Sequence, residues 1–186
     1  MILLDNISFS YGENNIFKDF SLEIKKGEKI CFFGESGCGK TTLLRILLGL
    51  EKVDNGKITY NGNLKPSAVF QENRLLPFKT ILENITVLGA DTQKAIQNLN
   101  ALGLGEYINS KPNTLSGGQL RRVAIARALS VDFDYLILDE AFTGLDDENI
   151  KTSINLISQV AKDKTIIIVT HSLKEAKLFN AKIINL

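Results

Sequence analysis

Gly34-Glu35-Ser36-Gly37-Cys38-Gly39-Lys40-Thr41-Thr42 decides how the rest of the chain is read. Before it, Lys29-Ile30-Cys31-Phe32-Phe33 is an apolar run of the length of a short buried strand. After it, Leu43-Leu44-Arg45-Ile46-Leu47-Leu48 reads as a helix. A strand, a glycine-rich turn and Gly-Lys-Thr opening a helix form the context of a phosphate-binding loop. Phosphate oxygens need many donors at once. Glycines let backbone N–H groups converge on them without a Cβ in the way, and the helix adds the positive end of its dipole. Lys40 is then placed for the β- and γ-phosphates, Thr41 for Mg²⁺, and Thr42 for a further hydroxyl contact. The competing reading is a glycine turn into an ordinary helix. At average residue usage the pattern arises by accident in below about one chain in a hundred of this size, so nucleotide binding is the reading carried forward.

At 186 residues the chain can bury one core with a small appended lobe. Hydrophobic residues at 44% and charged residues at 23% give an ordinary globular composition. A net charge of +1 leaves no electrostatic footprint for nucleic acid. Cys31 and Cys38 sit on the predicted strand and in the loop after it, so a disulfide is not expected and a reducing compartment fits. Cys38 as a redox nucleophile is the alternative. The opening Met1-Ile2-Leu3-Leu4-Asp5 lacks the basic and long apolar regions of a signal peptide. No apolar run approaches the roughly 20 residues of a membrane span, so any work at a membrane is expected to go through a partner.

Residues 2–10 and 17–24 alternate and read as strands around a turn at Gly12-Glu13-Asn14-Asn15. Tyr11 either caps an edge of that sheet or offers a flat face to a nucleobase. Gly56 to Tyr60 reads as a strand into an Asn61-Gly62 turn, and Ala68-Val69-Phe70 as a brief strand ending at Gln71. A loop with exposed-looking apolar residues follows, Arg74-Leu75-Leu76-Pro77-Phe78. Thr80 and Glu83 have capping-box spacing and start a helix. Ala95, Ile96, Leu99 and Leu102 mark a second, over about 91–102.

Leu115-Ser116-Gly117-Gly118-Gln119 leads into a helix over Leu120 to Leu129 that reads as strongly amphipathic. Ser116 and Gln119 again have capping-box spacing. Two glycines in a first turn cost helix stability, which makes sense if an anion must approach the backbone there. Tyr135-Leu136-Ile137-Leu138-Asp139-Glu140 is an apolar strand ending in two carboxylates, at the sheet edge where α/β ligands bind. Asp139 suits Mg²⁺. Strand alternation points Glu140 the other way, where it can orient or deprotonate a water. Thr143-Gly144-Leu145-Asp146 makes a turn before a helix over about 148–160. Thr165 to Val169 is a buried strand ending at Thr170-His171, which puts the only histidine at the tip of a central strand. Ser172 and Glu175 repeat the capping-box spacing, and a last strand covers 181–186.

In this order the motifs resemble the ATP-binding cassette (ABC) ATPases over nearly the whole chain: phosphate loop at 34–42, Q-loop at Gln71, signature at 115–119, acidic strand end at Asp139-Glu140, D-loop around Asp146, and H-loop at His171. The resemblance implies an α/β fold, a P-loop NTPase (RecA-like) core with a small antiparallel β lobe and a trimmed helical lobe. The whole chain is one nucleotide-binding domain, with its core about 1–70 and 130–186 and its helical lobe about 71–129. Lobes are expected to be trimmed because Lys40 to Gln71 spans 31 positions and Gln71 to Ser116 spans 45. Ala141 stands where many relatives carry proline, with little effect expected.

The same resemblance implies ATP and Mg²⁺ as cofactors. Glu140, His171, Lys40 and Gln71 are the catalytic set, and Thr41, Gln71 and Asp139 the metal set. The nucleotide set is Tyr11 against adenine, Gly34, Glu35, Ser36, Gly37, Cys38, Gly39, Lys40, Thr41 and Thr42, with Ser116, Gly117, Gly118, Gln119 and Asp146 acting across a pair of cassettes. Implied partners are a second cassette, as a homodimer on ATP binding, a transmembrane permease and a solute-binding protein, with no nucleic acid. The chain would sit on the cytoplasmic face of the membrane through the permease. Residues 74–78 would help receive a permease helix, in wording similar to importer ATPases of the nitrate, sulfonate and taurine group. The alternative is a soluble ABC ATPase of the iron–sulfur assembly type. A scaffold without turnover is disfavoured by the intact Glu140 and His171.

Overall fold

Two sheets back onto each other through one layer of apolar side chains. The computed structural model describes residues 1–35 and 37–186; Ser36, expected in the phosphate loop, lies outside the described residues. Strands β1 (Ile2–Tyr11), β2 (Asn14–Ile24) and β4 (Asn55–Tyr60) form an antiparallel sheet in the order β2-β1-β4. Strands β3 (Lys29–Phe33), β5 (Pro66–Val69), β6 (Tyr135–Asp139), β7 (Thr165–Val169) and β8 (Lys182–Asn185) form the second sheet, ordered β5-β6-β7-β3-β8. Every pair in that second sheet is parallel, and β7 lies at its centre. After β3 and α1 the chain returns to the antiparallel sheet as β4, then passes Asn61-Gly62 to join the edge of the parallel sheet as β5.

Period-two alternation assigns each face of the parallel sheet to a separate core. Ile30, Phe32, Tyr135, Ile137, Ile167 and Val169 point to one side, where they meet Leu4, Ile7, Phe9 and Ile24 of the antiparallel sheet and Leu43, Leu44, Ile46 and Leu47 of α1 (Lys40–Leu47). Cys31, Leu136, Leu138, Ile166 and Ile168 point to the other. There they meet α2 (Ile81–Thr86), α3 (Thr92–Ala101), α4 (Gly117–Ser130) and α5 (Asp147–Val160). Burial on both faces explains why β6 and β7 are apolar runs without polar alternation. An isolated eight-residue helix is marginal in water, and α1 holds because each buried Leu or Ile contributes about 1.5–3 kcal/mol.

The expected caps form. Thr80 and Glu83 close a capping box on α2, Ser116 and Gln119 another on α4, and Ser172 accepts from the Glu175 N–H at the start of α6 (Leu173–Leu178). Three expectations change. Helix α4 is buried nearly all round, Val123 to Ala126 and Ala128 to Ser130 included, instead of showing an apolar stripe; even its Arg121 is 7% exposed. Strand β6 ends at Asp139. Glu140 takes a left-handed backbone at φ 48° while its N–H donates to the Val169 carbonyl at 2.9 Å. The Glu140 side chain is therefore aimed by a turn and not by strand alternation. Among the described residues, no helix is long and apolar enough to cross a membrane. Cys31 and Cys38 are both free thiols.

Candidate functional site

The carboxyl ends of β3, β5, β6 and β7 open on one cleft of about 390 Å³. It is lined by Gly37, Gly39, Lys40, Thr41 and Thr42 from the loop and α1, by Gln71 past β5, by Asp139, Glu140 and Thr143 past β6, and by Val169 and His171 at β7. Residues spread over more than 130 positions of sequence thus meet at one sheet edge, as strand tips in a parallel sheet allow. Thr143 was not among the expected site residues, because a threonine in a turn carries no signal without the fold.

The loop's shape is set by Gly39, which sits at φ 99°; a Cβ there would come within 2.7 Å of the Ile16 side chain and 2.9 Å of Phe17. Only glycine fits, and it brings the first turn of α1 against the antiparallel sheet with no side-chain cap on its N–H groups. Lys40 is 7% exposed. Its Nζ donates to the carbonyls of Gly34 at 2.9 Å and Glu35 at 2.7 Å and lies 3.7 Å from Cys38 Sγ. Gly34, Glu35 and Cys38 therefore touch the site through the lysine and do not line the cleft.

Thr41, Gln71 and Asp139 also line a second cavity, adjoining the first, with Arg45, Phe70 and Arg74. They offer a hydroxyl, an amide oxygen and a carboxylate. Such an all-oxygen set with one carboxylate suits Mg²⁺, which keeps several waters and takes its remaining ligands from phosphates. Burial is the main cause that pushes the Asp139 carboxyl above its ordinary value, with the Glu140 charge adding to it, while Arg121, Lys40 and Arg74 pull it back. A cation beside Asp139 would relieve both penalties, so the residues present fit the metal. Among the described residues no cluster of three or more His, Cys, Asp or Glu exists that would hold a metal without a phosphate ligand.

His171 Nε2 lies 3.1 Å from Glu140 Oε1. Glu140 is mostly covered, its side chain 17% exposed, while that of His171 is 58% exposed. The turn bearing His171 is braced from behind: the Thr170 hydroxyl donates to Glu175 at 2.5 Å and accepts from the Ser172 N–H at 3.0 Å. Beneath them, burial first, then Glu175 and Glu140, push the Cys31 thiol up to about 11, which makes it inert packing.

Other expected residues stand apart from the cleft. Tyr11 is 47% exposed, meets Phe9 edge-to-face at 4.9 Å, and its hydroxyl lies 3.5 Å from Glu51. Ser116 and Gly117 are exposed at the start of α4, and a Cβ on Gly117 would meet nothing within 4 Å. Gly118 faces the Gly144 carbonyl and Leu145. Asp146 caps α5, with its carboxylate accepting from the Asn149 N–H and side-chain amide, both at 2.8 Å; these bonds hold its carboxyl below the ordinary value.

Residues 17–143 match the family model described as ABC transporter. The chain is 37% identical over 200 residues to the glutamate/aspartate import ATP-binding protein GltL of Escherichia coli (strain K12), covering 95% of this chain and 83% of that protein. It is 37% identical over 189 residues to the aliphatic sulfonates import ATP-binding protein SsuB 1 of Paracoccus denitrificans (strain Pd 1222), covering 98% and 78%. Among solved structures, the dimeric post-hydrolysis state of the ATP-binding cassette MJ0796 bound to ADP and Pi superposes with a TM-score of 0.89 at 30% identity, covering 100% of this chain and 94% of that one. Equal identity to subunits named for such different cargoes means that similarity follows the cassette and not the cargo.

Proposed function

The chain belongs to the ABC transporter family as an ATP-binding, ATP-hydrolysing subunit, and from that premise we propose how its residues divide the work. One observation carries the reading: Lys40, Thr41, Gln71, Asp139, Glu140 and His171 share one cleft, while the capped, glycine-rich start of α4 faces solvent away from it. The cleft takes the triphosphate. A second copy of the chain supplies Ser116 and Gly118 over the γ-phosphate, with Gly117, Gln119 and Asp146 beside them. The helical lobe of about residues 71–129 carries that start.

Lys40 and the loop N–H groups hold the β- and γ-phosphates, and Tyr11 lies against the base. Thr41, Gln71 and Asp139 hold Mg²⁺, whose charge offsets that of the phosphates. Water oxygen attacks the γ-phosphorus, the bond to the bridging oxygen of ADP breaks, and Glu140 accepts the water proton. His171, whose Nε2 lies 3.1 Å from Glu140 Oε1, steadies the γ-phosphate and the attacking water. Positioned donors carry most of the acceleration, since phosphoryl transfer needs little covalent help. Moving a pair from 1:99 to 99:1 closed requires about 5.5 kcal/mol of preference for the closed form, and contacts made only across the dimer are the source.

Docking to a transmembrane permease uses the surface around residues 74–78. Leu75 packs against the core, whereas Phe78 is 69% exposed and Val87 and Leu88 are 52% and 60% exposed nearby in sequence. Such a contact would place the chain on the cytoplasmic face of the membrane, and the relatives named as import subunits favour transport, with a solute-binding protein upstream, over iron–sulfur assembly. Specific ATPase activity measured across protein concentrations tests the composite site. It should rise with concentration until the pair saturates; constant specific activity down to full dilution would refute it.

A further inference from the structure

Gln71 sits in a loop that has left the sheet, since β5 ends at Val69, yet its amide must be held within tenths of an ångström to ligate a metal. The restraint comes from α4. Arg121 donates through Nη1 to the Phe70 carbonyl at 2.6 Å and through Nη2 to the Gln71 carbonyl. Six residues on, Arg127 donates to the carbonyls of Asn73 at 2.7 Å and Arg74 at 2.8 Å. The Arg74 guanidinium in turn lies 4.4 Å from the Phe70 ring centre. Burying Arg121 opposes its charge, and the one carboxylate that supports it is Asp139, the other side of the same metal set. A buried guanidinium spent on two neutral carbonyls is costly unless those carbonyls have to be fixed.

We propose that Arg121 is a positioning residue for the metal: by gripping the carbonyls on both sides of the Gln71 Cα it aims the Gln71 side chain, while its charge stands opposite Asp139. This rests on the reading of Gln71 as a ligand of nucleotide-bound Mg²⁺. It also joins two sites through one helix. The N-terminus of α4 addresses a neighbour's nucleotide while its Arg121 sets the metal contact of its own.

Partners behind first ligands are worth about 10–100-fold in metal affinity. The test measures binding of a fluorescent, slowly hydrolysed ATP analogue with Mn²⁺ and in EDTA; the ratio of the two affinities is the metal enhancement. In Arg121→Met the enhancement should fall about tenfold with the EDTA affinity unchanged. Arg121→Lys can reach one carbonyl and should lose about threefold, so it carries the test even if the methionine variant does not fold. In a Gln71→Ala background, changing Arg121 should cost nothing more, because the two act as one unit. Wild-type enhancement in the Arg121 variants, equal losses with and without metal, or additive losses with Gln71→Ala would each overturn the proposal. Absence of metal enhancement in the wild-type protein would instead remove the Gln71 ligand reading beneath it.

Discussion

The two places at which this chain is read as meeting a nucleotide are built in opposite ways. At the carboxyl edge of the parallel sheet, Lys40 and Asp139 are 7% and 6% exposed, and the side chains converge from four strand ends on one cleft. At the start of α4 the capping box gives the Ser116 hydroxyl oxygen the Gln119 N–H at 3.3 Å and the Gln119 side-chain oxygen the Ser116 N–H at 2.7 Å, and Ser116 and Gly117 are exposed among the described residues. The first is an open cleft lined by the chain's own side chains; the second is a surface whose glycines leave the backbone bare. On the proposed reading a bare helix start serves something brought from outside, and that asymmetry is the reason for reading a pair as the working unit.

The largest expected effect separates chemistry from closure. Glu140→Gln keeps the shape but cannot take a proton, so kcat should fall by about 10³-fold while ATP binding persists and ATP-bound dimer accumulates in light scattering. Unchanged turnover would remove Glu140 as the base. Lys40→Ala strips the charged donor from the cleft and should weaken binding of a fluorescent ATP analogue about 100-fold, as the loss of about 3 kcal/mol of charge-assisted contacts implies. Wild-type affinity would contradict the phosphate-loop reading. Exchanging Leu76 and Phe78 for polar residues addresses neither nucleotide surface. Dimerisation and basal turnover should stay within about twofold, given the small effects of most surface changes, while co-purification with a permease is lost.

The smallest effect concerns the brace behind His171. Burial, and after it the Glu140 charge, raises the Glu175 carboxyl above its ordinary value, against the Thr170 hydroxyl, which lowers it. A carboxyl that binds its proton more tightly when folded favours the folded state at low pH. That contribution fades as pH rises from the ordinary value of 4.5 through the raised one. Glu175→Gln should therefore stabilise the protein slightly at neutral pH and flatten thermal stability across that window. A steeper dependence in the variant would reverse the assignment.

Much of the cleft was legible because its residues sit at strand ends and helix starts that local pattern locates: the glycine loop before Lys40, the carboxylates after Leu138, the histidine after Val169. Caps at Thr80, Ser116 and Ser172 were legible for the same reason, since spacing of three residues is a local signal. What sequence could not supply depends on neighbours distant along the chain. The left-handed turn at Glu140 follows from its N–H pairing with Val169. Helix α4 read as amphipathic from its apolar spacing, yet all three of its arginines, Arg121, Arg122 and Arg127, spend their guanidinium groups on backbone carbonyls from 20 to 54 positions away. Asp146, expected near a nucleotide, has a local duty as a helix cap that its position before Asp147-Glu148-Asn149 would have allowed.

Complementation tests the shared site most directly. Lys40→Ala spoils the pocket and Ser116→Arg spoils the lid, and each variant alone should be nearly inactive. Mixed in equal amounts, half of the pairs are heterodimers with one intact composite site each, so about a quarter of the wild-type sites return by symmetry and ATPase activity should reappear on mixing. Full activity of Ser116→Arg alone, or no recovery from two folded variants, would contradict the division of pocket and lid between two copies.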